Sequence, residues 1–322
     1  EAFQTEVRAR GFTQVLLMGM GGSSLGPEVL ATTFGKHEGF GHLYILDSTD
    51  PQQVAATEKK LDIAHTLFIV ASKSGSTLEP SIMLSYFHDL AKRTLGAQAG
   101  AHFVAITDPG SSLEKLAQAE GFWKIFHGDP KIGGRYSVLS NFGLVPAAAA
   151  GVPLHPFVAD ALRGVRLCDA SVPPAVNRGV QLGLILGTAA RLGRDKLTIL
   201  ATPEIADFGA WMEQLVAEST GKNGLGIIPI DNETPGSLRH YGADRLFVYL
   251  RLAPEHRHEQ DEAIATLREA GQPVLTITLH NRRQIAQEFF HWEMATAVAG
   301  AVLGIHPFDQ PDVESSKIET RA

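Results

Sequence analysis

Residues 72–77 combine the side chains that are best suited to bind phosphate. The segment Ser72-Lys73-Ser74-Gly75-Ser76-Thr77 carries four hydroxyl groups and one ammonium group within six residues. An apolar, β-forming run at 66–70 precedes it, and apolar residues recur at helical spacing after it. A strand that enters a helix through small residues leaves backbone N–H groups unpaired at the positive end of the helix dipole. The segment therefore predicts an anion site with Ser72, Lys73, Ser74 and Thr77 as donors. An ordinary serine-rich helix cap is the alternative, and the P-loop spacing is absent.

A second loop of small residues follows the first predicted strand. Its sequence is Gly19-Met20-Gly21-Gly22-Ser23-Ser24, and the dinucleotide-binding fingerprint would need glycine in place of Ser24. Gly21 and Gly22 instead permit close approach of the backbone to a ligand, and Ser23 adds a donor. Gly22 and Ser23 are predicted to line the same cleft as residues 72–77, because both loops end strands of one sheet.

Strand-like and helix-like segments alternate along the chain and must position these loops. This alternation predicts an α/β fold with a mostly parallel sheet covered on both faces, repeated once. A Pro- and Gly-containing stretch at 152–174 separates the halves and places the domains at 1–155 and 156–322. The predicted strands are 15–20, 43–47, 67–71, 103–107, 197–201, 226–230, 246–250 and 274–278. The predicted helices are 27–34, 51–60, 78–94, 111–120, 206–218, 260–270 and 284–303.

Charge and cysteine content narrow the functional classes. The 322-residue chain has 28 basic and 35 acidic side chains, hence a net charge of −7, with no basic block. Nucleic acids and anionic membranes are therefore disfavoured as partners, and no apolar run reaches membrane-spanning length. The single cysteine, Cys168, excludes an internal disulfide and is interpreted as a structural thiol in a reducing compartment. Without a signal-like segment after Glu1, we expect a cytoplasmic location.

Five motifs occur in one order along nearly the whole chain. They are Gly21-Gly22-Ser23, residues 72–77, Gly133-Gly134-Arg135-Tyr136-Ser137, the segment from Gln214 to Lys222, and the segment from Phe308 to Lys317. In these motifs the chain resembles the glucose-6-phosphate isomerases, which are built from two sugar isomerase (SIS) domains with doubly wound sheets. The resemblance is greatest to the isomerase portion of transaldolase–isomerase fusion proteins. Asp312 replaces the usual glycine of the last motif.

The resemblance implies reversible isomerisation of glucose 6-phosphate to fructose 6-phosphate through a cis-enediolate, without a metal or an organic cofactor. It assigns Glu218 as the proton-transfer base, with Gln214 on the same helix face contacting substrate oxygens. It assigns Arg135 to stabilising the enediolate, Lys317 to ring opening and Gln310 to the neighbourhood of the phosphate. From the residues alone, Glu218 is equally explained as a solvated glutamate at a helix end, and Arg135 as half of a structural ion pair.

The ring-opening histidine is left open. The glucose-6-phosphate isomerases use a histidine for this step, often from the neighbouring subunit. In this chain His240 lies 22 residues after Glu218, at about the expected place. Its surroundings, residues 237–241, match no motif, so both a catalytic and a structural role remain for His240. The resemblance also implies a homodimer and a possible fusion to a transaldolase domain.

Two other functions remain as alternatives. A dual phosphoglucose/phosphomannose isomerase would use the same scaffold, and turnover of mannose 6-phosphate separates it from the first. A non-catalytic SIS module that senses sugar phosphates would keep residues 72–77 but has no need of Glu218, Arg135 and Lys317 together. A chain that is active only within a longer polypeptide would fail an assay on its own.

Overall fold

The chain folds into two compact units, Glu1–Pro156 and Phe157–Ala322. The structure, a computed structural model, describes residues 1–234, 236–253, 259–311 and 319. The division between the units falls inside the helix Leu154–Leu167. No helix in these described ranges is both long enough and apolar enough to cross a membrane.

The amino-terminal unit contains a parallel five-stranded sheet in the order β2-β1-β3-β4-β5. Its strands are β1 (Gln14–Gly19), β2 (His42–Leu46), β3 (Thr66–Ala71), β4 (Phe103–Thr107) and β5 (Lys124–His127). Its helices are α1 (Ala2–Ala9), α2 (Leu25–Phe34), α3 (Pro51–Glu58), α4 (Leu78–Leu95), α5 (Ser112–Ala119) and α6 (Asn141–Ala149). This is the doubly wound arrangement, in which the chain leaves β1 on one side and returns on the other.

The core of this unit has one apolar layer on each face of the sheet. Alternate residues of β1 enter opposite layers: Val15 packs with Phe142 of α6, and Leu16 packs with Phe87 of α4. Every residue of β3 and β4 is buried. Strands buried on both faces account for the continuous apolar runs in the sequence.

The carboxy-terminal unit contains a parallel four-stranded sheet in the order β7-β6-β8-β9. Its strands are β6 (Lys196–Ala201), β7 (Ile228–Ile230), β8 (Arg245–Leu252) and β9 (Val274–Leu279). The helices are α7 (Leu154–Leu167), α8 (Arg178–Arg191), α9 (Phe208–Thr220), α10 (Glu259–Glu269) and α11 (Ile285–Leu303). The strand order repeats the first four positions of the other sheet, and the described residues supply no counterpart of β5.

Glycines let α8 pack closely against α11. A Cβ atom at Gly183 would lie 2.5 Å from the carbonyl oxygen of Ala295, and one at Gly187 would lie 2.7 Å from the Val302 side chain. These glycines are four residues apart, so they form a groove along one face of α8. The contact requires small residues on that face, although glycine lowers intrinsic helix propensity.

The prediction of an α/β fold with helix-covered parallel sheets is confirmed. The sequence patterns omit five elements, namely β5 and the helices α1, α6, α7 and α8. Strand β5 has only four residues, none of them fully buried, and its place depends on pairing with β4. The predicted strand 226–230 is shorter in the structure, where β7 begins at Ile228.

Candidate active site

The two loops of small residues follow neighbouring strands of the amino-terminal sheet. Strands β1 and β3 pair in parallel up to Gly19 and Ala71, so both loops emerge at the same edge. The order β2-β1-β3 makes this the switch point, where connections leave towards opposite faces and ligands characteristically bind.

The loop at 72–77 has the form expected of an anion site. Thr77 has the extended conformation of an N-cap residue, with φ −66° and ψ 130°, and α4 begins at Leu78. Its side chain makes no capping hydrogen bond, which leaves the first N–H groups of α4 without that acceptor. The hydroxyls of Ser74 and Ser76 lie 3.0 Å apart, and the Ser72 hydroxyl is buried without a hydrogen-bond partner among the described residues.

Lys73 is held by two partners on other loops. Its Nζ donates to the Asp108 carboxylate at 2.6 Å and to the Asp129 carbonyl oxygen at 2.9 Å. The backbone carbonyl of Lys73 also accepts from the Asp108 N–H. The ammonium group has three N–H bonds, so one remains beyond these two contacts. Lys73 therefore ties the loop to the loops after β4 and β5, and its charge is partly neutralised there.

The structure brings Gly22 against the loop that carries Arg135. A Cβ atom at Gly22 would lie 2.0 Å from the Gly134 carbonyl oxygen, so only glycine fits at this position. Ser23 is buried at the end of the same short 3₁₀ helix, Gly21–Ser23. Arg135 lies in a second 3₁₀ helix, Gly134–Tyr136, and is 3% exposed, with its guanidinium 5.4 Å from the centre of the Tyr136 ring. Two motifs that are far apart in sequence thus form one contact.

Glu218 lies near the carboxyl end of α9. The Gln214 amide donates to its carboxylate at 3.3 Å, which confirms that the two share a helix face. An anion at this end of a helix is disfavoured by the helix dipole. Lys222, 6% exposed, opposes that effect, because its Nζ donates to the carbonyl oxygens of Glu218 at 3.0 Å and Ser219 at 2.7 Å.

The described part of the last motif reaches this helix end. Asp309 lies 3.6 Å from Lys222, and its neighbour Gln310 is exposed. Lys317 lies outside the described residues. His240 is exposed in the 3₁₀ helix Leu238–His240, and none of the described residues makes a hydrogen bond or ion pair with its side chain. The structure therefore brings together Gln214, Glu218 and the Asp309 segment, and it does not bring His240 to them.

Sequence reasoning missed two charged residues that position this machinery. Lys222 belongs to a quoted motif, and its place one turn after Glu218 could have indicated a helix-capping cation. Asp108 belongs to none of the five motifs. Its partner Lys73 is 35 positions away, and only the pairing of β3 with β4 brings the two together. Across the described residues, no group of three or more His, Cys, Asp or Glu side chains could hold a metal ion.

Comparison with known proteins identifies the family. The family model for phosphoglucose isomerase matches residues 5–231. The chain is 28% identical to a probable glucose-6-phosphate isomerase of Methanococcus maripaludis, over 96% of this chain and 78% of that protein. It is 30% identical to the glucose-6-phosphate isomerase of Geobacter sulfurreducens, over 97% of this chain but only 66% of that protein.

Two crystal structures share the fold over 99% of this chain. One is a hypothetical protein from Thermus thermophilus, with a TM-score of 0.84, 26% identity and 86% of that chain covered. The other is a glucose-6-phosphate isomerase from Chlamydia trachomatis, with a TM-score of 0.79, 22% identity and 71% of that chain covered. The family model matches more than half of the chain, and the chain therefore belongs to the phosphoglucose isomerase family.

Proposed function

We propose that this chain interconverts D-glucose 6-phosphate and D-fructose 6-phosphate. The observation that carries the proposal is the arrangement around Glu218, whose carboxylate is contacted by Gln214 and whose helix end is capped by Lys222. Family membership supplies the reaction class, an aldose–ketose isomerisation. The relatives of Methanococcus maripaludis and Geobacter sulfurreducens bear the name glucose-6-phosphate isomerase, probable in the first case, and this name gives the aldose. Aldose–ketose isomerisation of glucose 6-phosphate gives fructose 6-phosphate as the ketose.

The proton transfer follows from the chemistry of the two sugars. Glu218 removes the proton from C2 of the open-chain aldose, and the C1 carbonyl oxygen gains negative charge as the cis-enediolate forms. The same carboxyl group then returns the proton to C1, while the C2 hydroxyl gives up its proton, the C1 oxygen gains one, and the C2 oxygen becomes the ketone oxygen. One carboxylate can serve both carbons because they are adjacent on one face of the enediolate. Arg135 stabilises the oxyanion.

The phosphate group is held by the loop at 72–77. The hydroxyls of Ser72, Ser74 and Thr77 and the backbone N–H groups at the start of α4 are the donors. Gly22 and Ser23 form the neighbouring wall. Because Lys73 is held by Asp108 and Asp129, its main effect is to fix the loop, and its remaining N–H faces the anion.

Ring opening completes the proposal. Lys317 and His240 are assigned to proton transfer at the ring oxygen and O1, with Gln310 near the phosphate, all by the family pattern. The exposure of His240 leaves its role dependent on a surface that covers it. A homodimer would supply such a surface, and we propose one.

The finer organisation is proposed on the same basis. Each unit corresponds to one SIS domain, with the division placed at 155/156, and the repeated strand order supports this. The reaction belongs to glycolysis and gluconeogenesis, and the proposed location is the cytoplasm.

The decisive test compares Glu218→Gln with Glu213→Gln, an exposed residue on the same helix. In a coupled assay with fructose 6-phosphate, Glu218→Gln should lower kcat by about 10²–10⁴-fold, the usual contribution of general base catalysis. KM should change far less, and Glu213→Gln should resemble the wild type. In heavy water, the wild-type enzyme should incorporate deuterium into the recovered sugar phosphate.

Near-normal turnover by Glu218→Gln would disprove the assignment of the base. A wild-type chain that binds the sugar phosphate without turning it over would disprove the catalytic proposal and favour the sensor alternative. Turnover of mannose 6-phosphate at a comparable rate would instead indicate the dual isomerase.

A further inference from the structure

A cavity of about 410 Å³ opens in the carboxy-terminal unit, beside β9 at the edge of the sheet opposite to β7. It lies between α8, strand β9 and α11, and its walls include Arg178, Thr276, Thr278, Glu288 and His291. None of the residues assigned to the isomerase site lines it. Its volume is in the range of pockets that hold small organic molecules.

One wall of the cavity is the free edge of β9. The Pro273 carbonyl oxygen accepts from the Phe247 N–H of β8, and the Leu279 carbonyl oxygen accepts from the Ala253 N–H just after β8. Because backbone groups alternate in direction along a strand, the odd-numbered residues of β9 direct theirs towards β8. Thr276 and Thr278 therefore turn their backbone N–H and C=O groups away from β8. In the amino-terminal sheet the equivalent edge of β4 is covered by β5. In the carboxy-terminal sheet, the described residues place no strand beside β9, and the cavity lies there instead.

The floor carries a buried charged pair. His291 is 2% exposed and Glu288 is 5% exposed, and Nδ1 of the imidazole lies 3.1 Å from the Glu288 carboxylate. The other ring nitrogen, Nε2, has no hydrogen-bond partner of acceptable geometry among the described residues, although Cys168 lies near the ring. A buried polar atom without a partner is unfavourable, and a ligand atom or an ordered water would relieve it.

The charged side chains on the cavity wall leave one positive charge unbalanced, that of Arg178. Burial opposes protonation of His291, but polar contacts with Cys168 and Glu288 outweigh it and raise its pKa to about 9. Glu288 balances that charge, while Arg178 adds another at the amino-terminal end of α8. His280 also lines the cavity and is the remaining titratable group. The first turn of a helix favours anions as well.

We propose that this cavity binds a small organic anion, a carboxylate or a phosphate ester, through Arg178, His291 and the free backbone N–H groups of β9. The site is separate from the phosphate loop at 72–77, which belongs to the other unit. An occupant would satisfy Nε2 of His291 and the exposed edge of β9 together. Its charge would pair with Arg178, the cation at the rim.

The test observes His291 directly by NMR, using the whole chain with ¹³C-labelled histidine. The His291→Gln variant assigns the His291 resonance. Succinate is the carboxylate probe and inorganic phosphate is the phosphate probe, each titrated up to about 20 mM, which detects even millimolar affinity. Because the readout is local, binding of phosphate at 72–77 does not interfere.

Arg178→Gln is compared with Arg191→Gln, which removes the same charge from the last turn of the same helix. A saturable shift of the His291 resonance with either probe supports the proposal, and the probe that acts identifies the ligand class. Arg178→Gln should weaken that binding at least about tenfold, since a charge-assisted hydrogen bond is lost. Arg191→Gln should bind as the wild type does.

The proposal is overturned if neither probe shifts the resonance in the wild-type chain. It is also overturned if the two arginine variants bind alike. Thermal melting of both variants verifies that each is folded. The wild-type titration decides the question even if Arg178→Gln does not fold.

Discussion

The two units share the same arrangement of four parallel strands but differ in the side chains that follow several of those strands. In the amino-terminal unit, glycines, hydroxyls and Lys73 follow β1 and β3. In the carboxy-terminal unit, the segments after β6 and β7 carry Glu204, Asp207, Asp231 and Glu233. The topology fixes where a ligand can approach the sheet, whereas the side chains at that edge determine which ligand charge is favoured. Arg245 pairs with Glu233, and the three other carboxylates make this edge unfavourable for a phosphate.

Asp231 shows how far the second unit departs from an anion site. Burial, together with the negative charges of Glu213 and Asp207, raises its pKa to about 6, although a hydrogen bond from the Asn232 backbone opposes the shift. The carboxylate is packed against Gly209, where a Cβ atom would lie 2.0 Å from Oδ1. In the proposed reaction the second unit contributes through the carboxyl end of α9, where Glu218 lies.

The largest effect on the anion-binding side of this comparison should come from Gly22→Ala. The added Cβ would collide with the Gly134 carbonyl oxygen and push the Arg135 segment outward. A displacement of about 1 Å at a catalytic group reduces turnover by about 10²-fold, so we expect a loss of that order in kcat. Steady-state kinetics with fructose 6-phosphate measures it.

The matched control is Gly133→Ala. Its Cβ would make only an ordinary contact, 3.7 Å from the Tyr136 ring, and its φ of −66° suits alanine. If both alanine variants retain wild-type kcat, the contact between the two loops has no role in positioning Arg135.

A smaller effect is expected from Lys73→Met. The change removes the hydrogen bonds to Asp108 and Asp129 and loosens the phosphate loop. Because phosphate binding contributes to ground-state affinity, KM should rise about tenfold while kcat changes less. The control is Lys115→Met, an exposed lysine on α5. Equal losses in kcat and kcat/KM, with KM unchanged, would mean that Lys73 acts only in the transition state.

The smallest effect should come from Asp231→Asn, and it should be stabilising. The folded-state pKa of Asp231 is raised to about 6 from 3.8, so folding disfavours its carboxylate above that pH. Its contribution to stability is present below pH 3.8 and is lost as the pH rises through about 6. The variant should therefore melt at a higher temperature than the wild type at neutral pH.

That gain should shrink as the pH is lowered through the pKa of Asp231, because the wild-type side chain then becomes neutral too. Glu269→Gln, an exposed carboxylate on α10, controls for the general loss of one negative charge. An equal stabilisation by both variants, or one that does not depend on pH, would contradict the local explanation.

Local patterns in the sequence predicted much of the framework. The helices predicted at 78–94 and 111–120 begin at Leu78 and Ser112 in the structure, where Thr77 and Ser111 are the N-cap residues and Ser111 accepts from the Glu114 N–H. These features depend on residues within about four positions of each other, so the sequence contains all that is needed to predict them. The exceptions are informative. Helix α8 contains Gly179, Gly183 and Gly187, which weaken the helical signal, and only its packing against α11 explains them.

The candidate site shows the same division. The types of residues were evident from the sequence: hydroxyls and a lysine at 72–77, and a glutamate four positions after Gln214. The residues that these side chains contact could not be predicted from the sequence. Lys73 meets Asp108 because Ala71 pairs with Ile106 in the sheet, and Lys222 meets Asp309 because the chain returns to α9 after α11.

The sequence by itself thus determined the fold class, the family and the position of the loop at 72–77 between a strand and a helix, because periodicity, caps and short motifs are local. Tertiary structure alone decided that Gly22 must be glycine beside Gly134, that Lys73 is held by Asp108, and that His291 lies at the floor of a cavity. Such contacts join residues far apart in the chain, and they exist only once strand register and helix packing have fixed the distances between them.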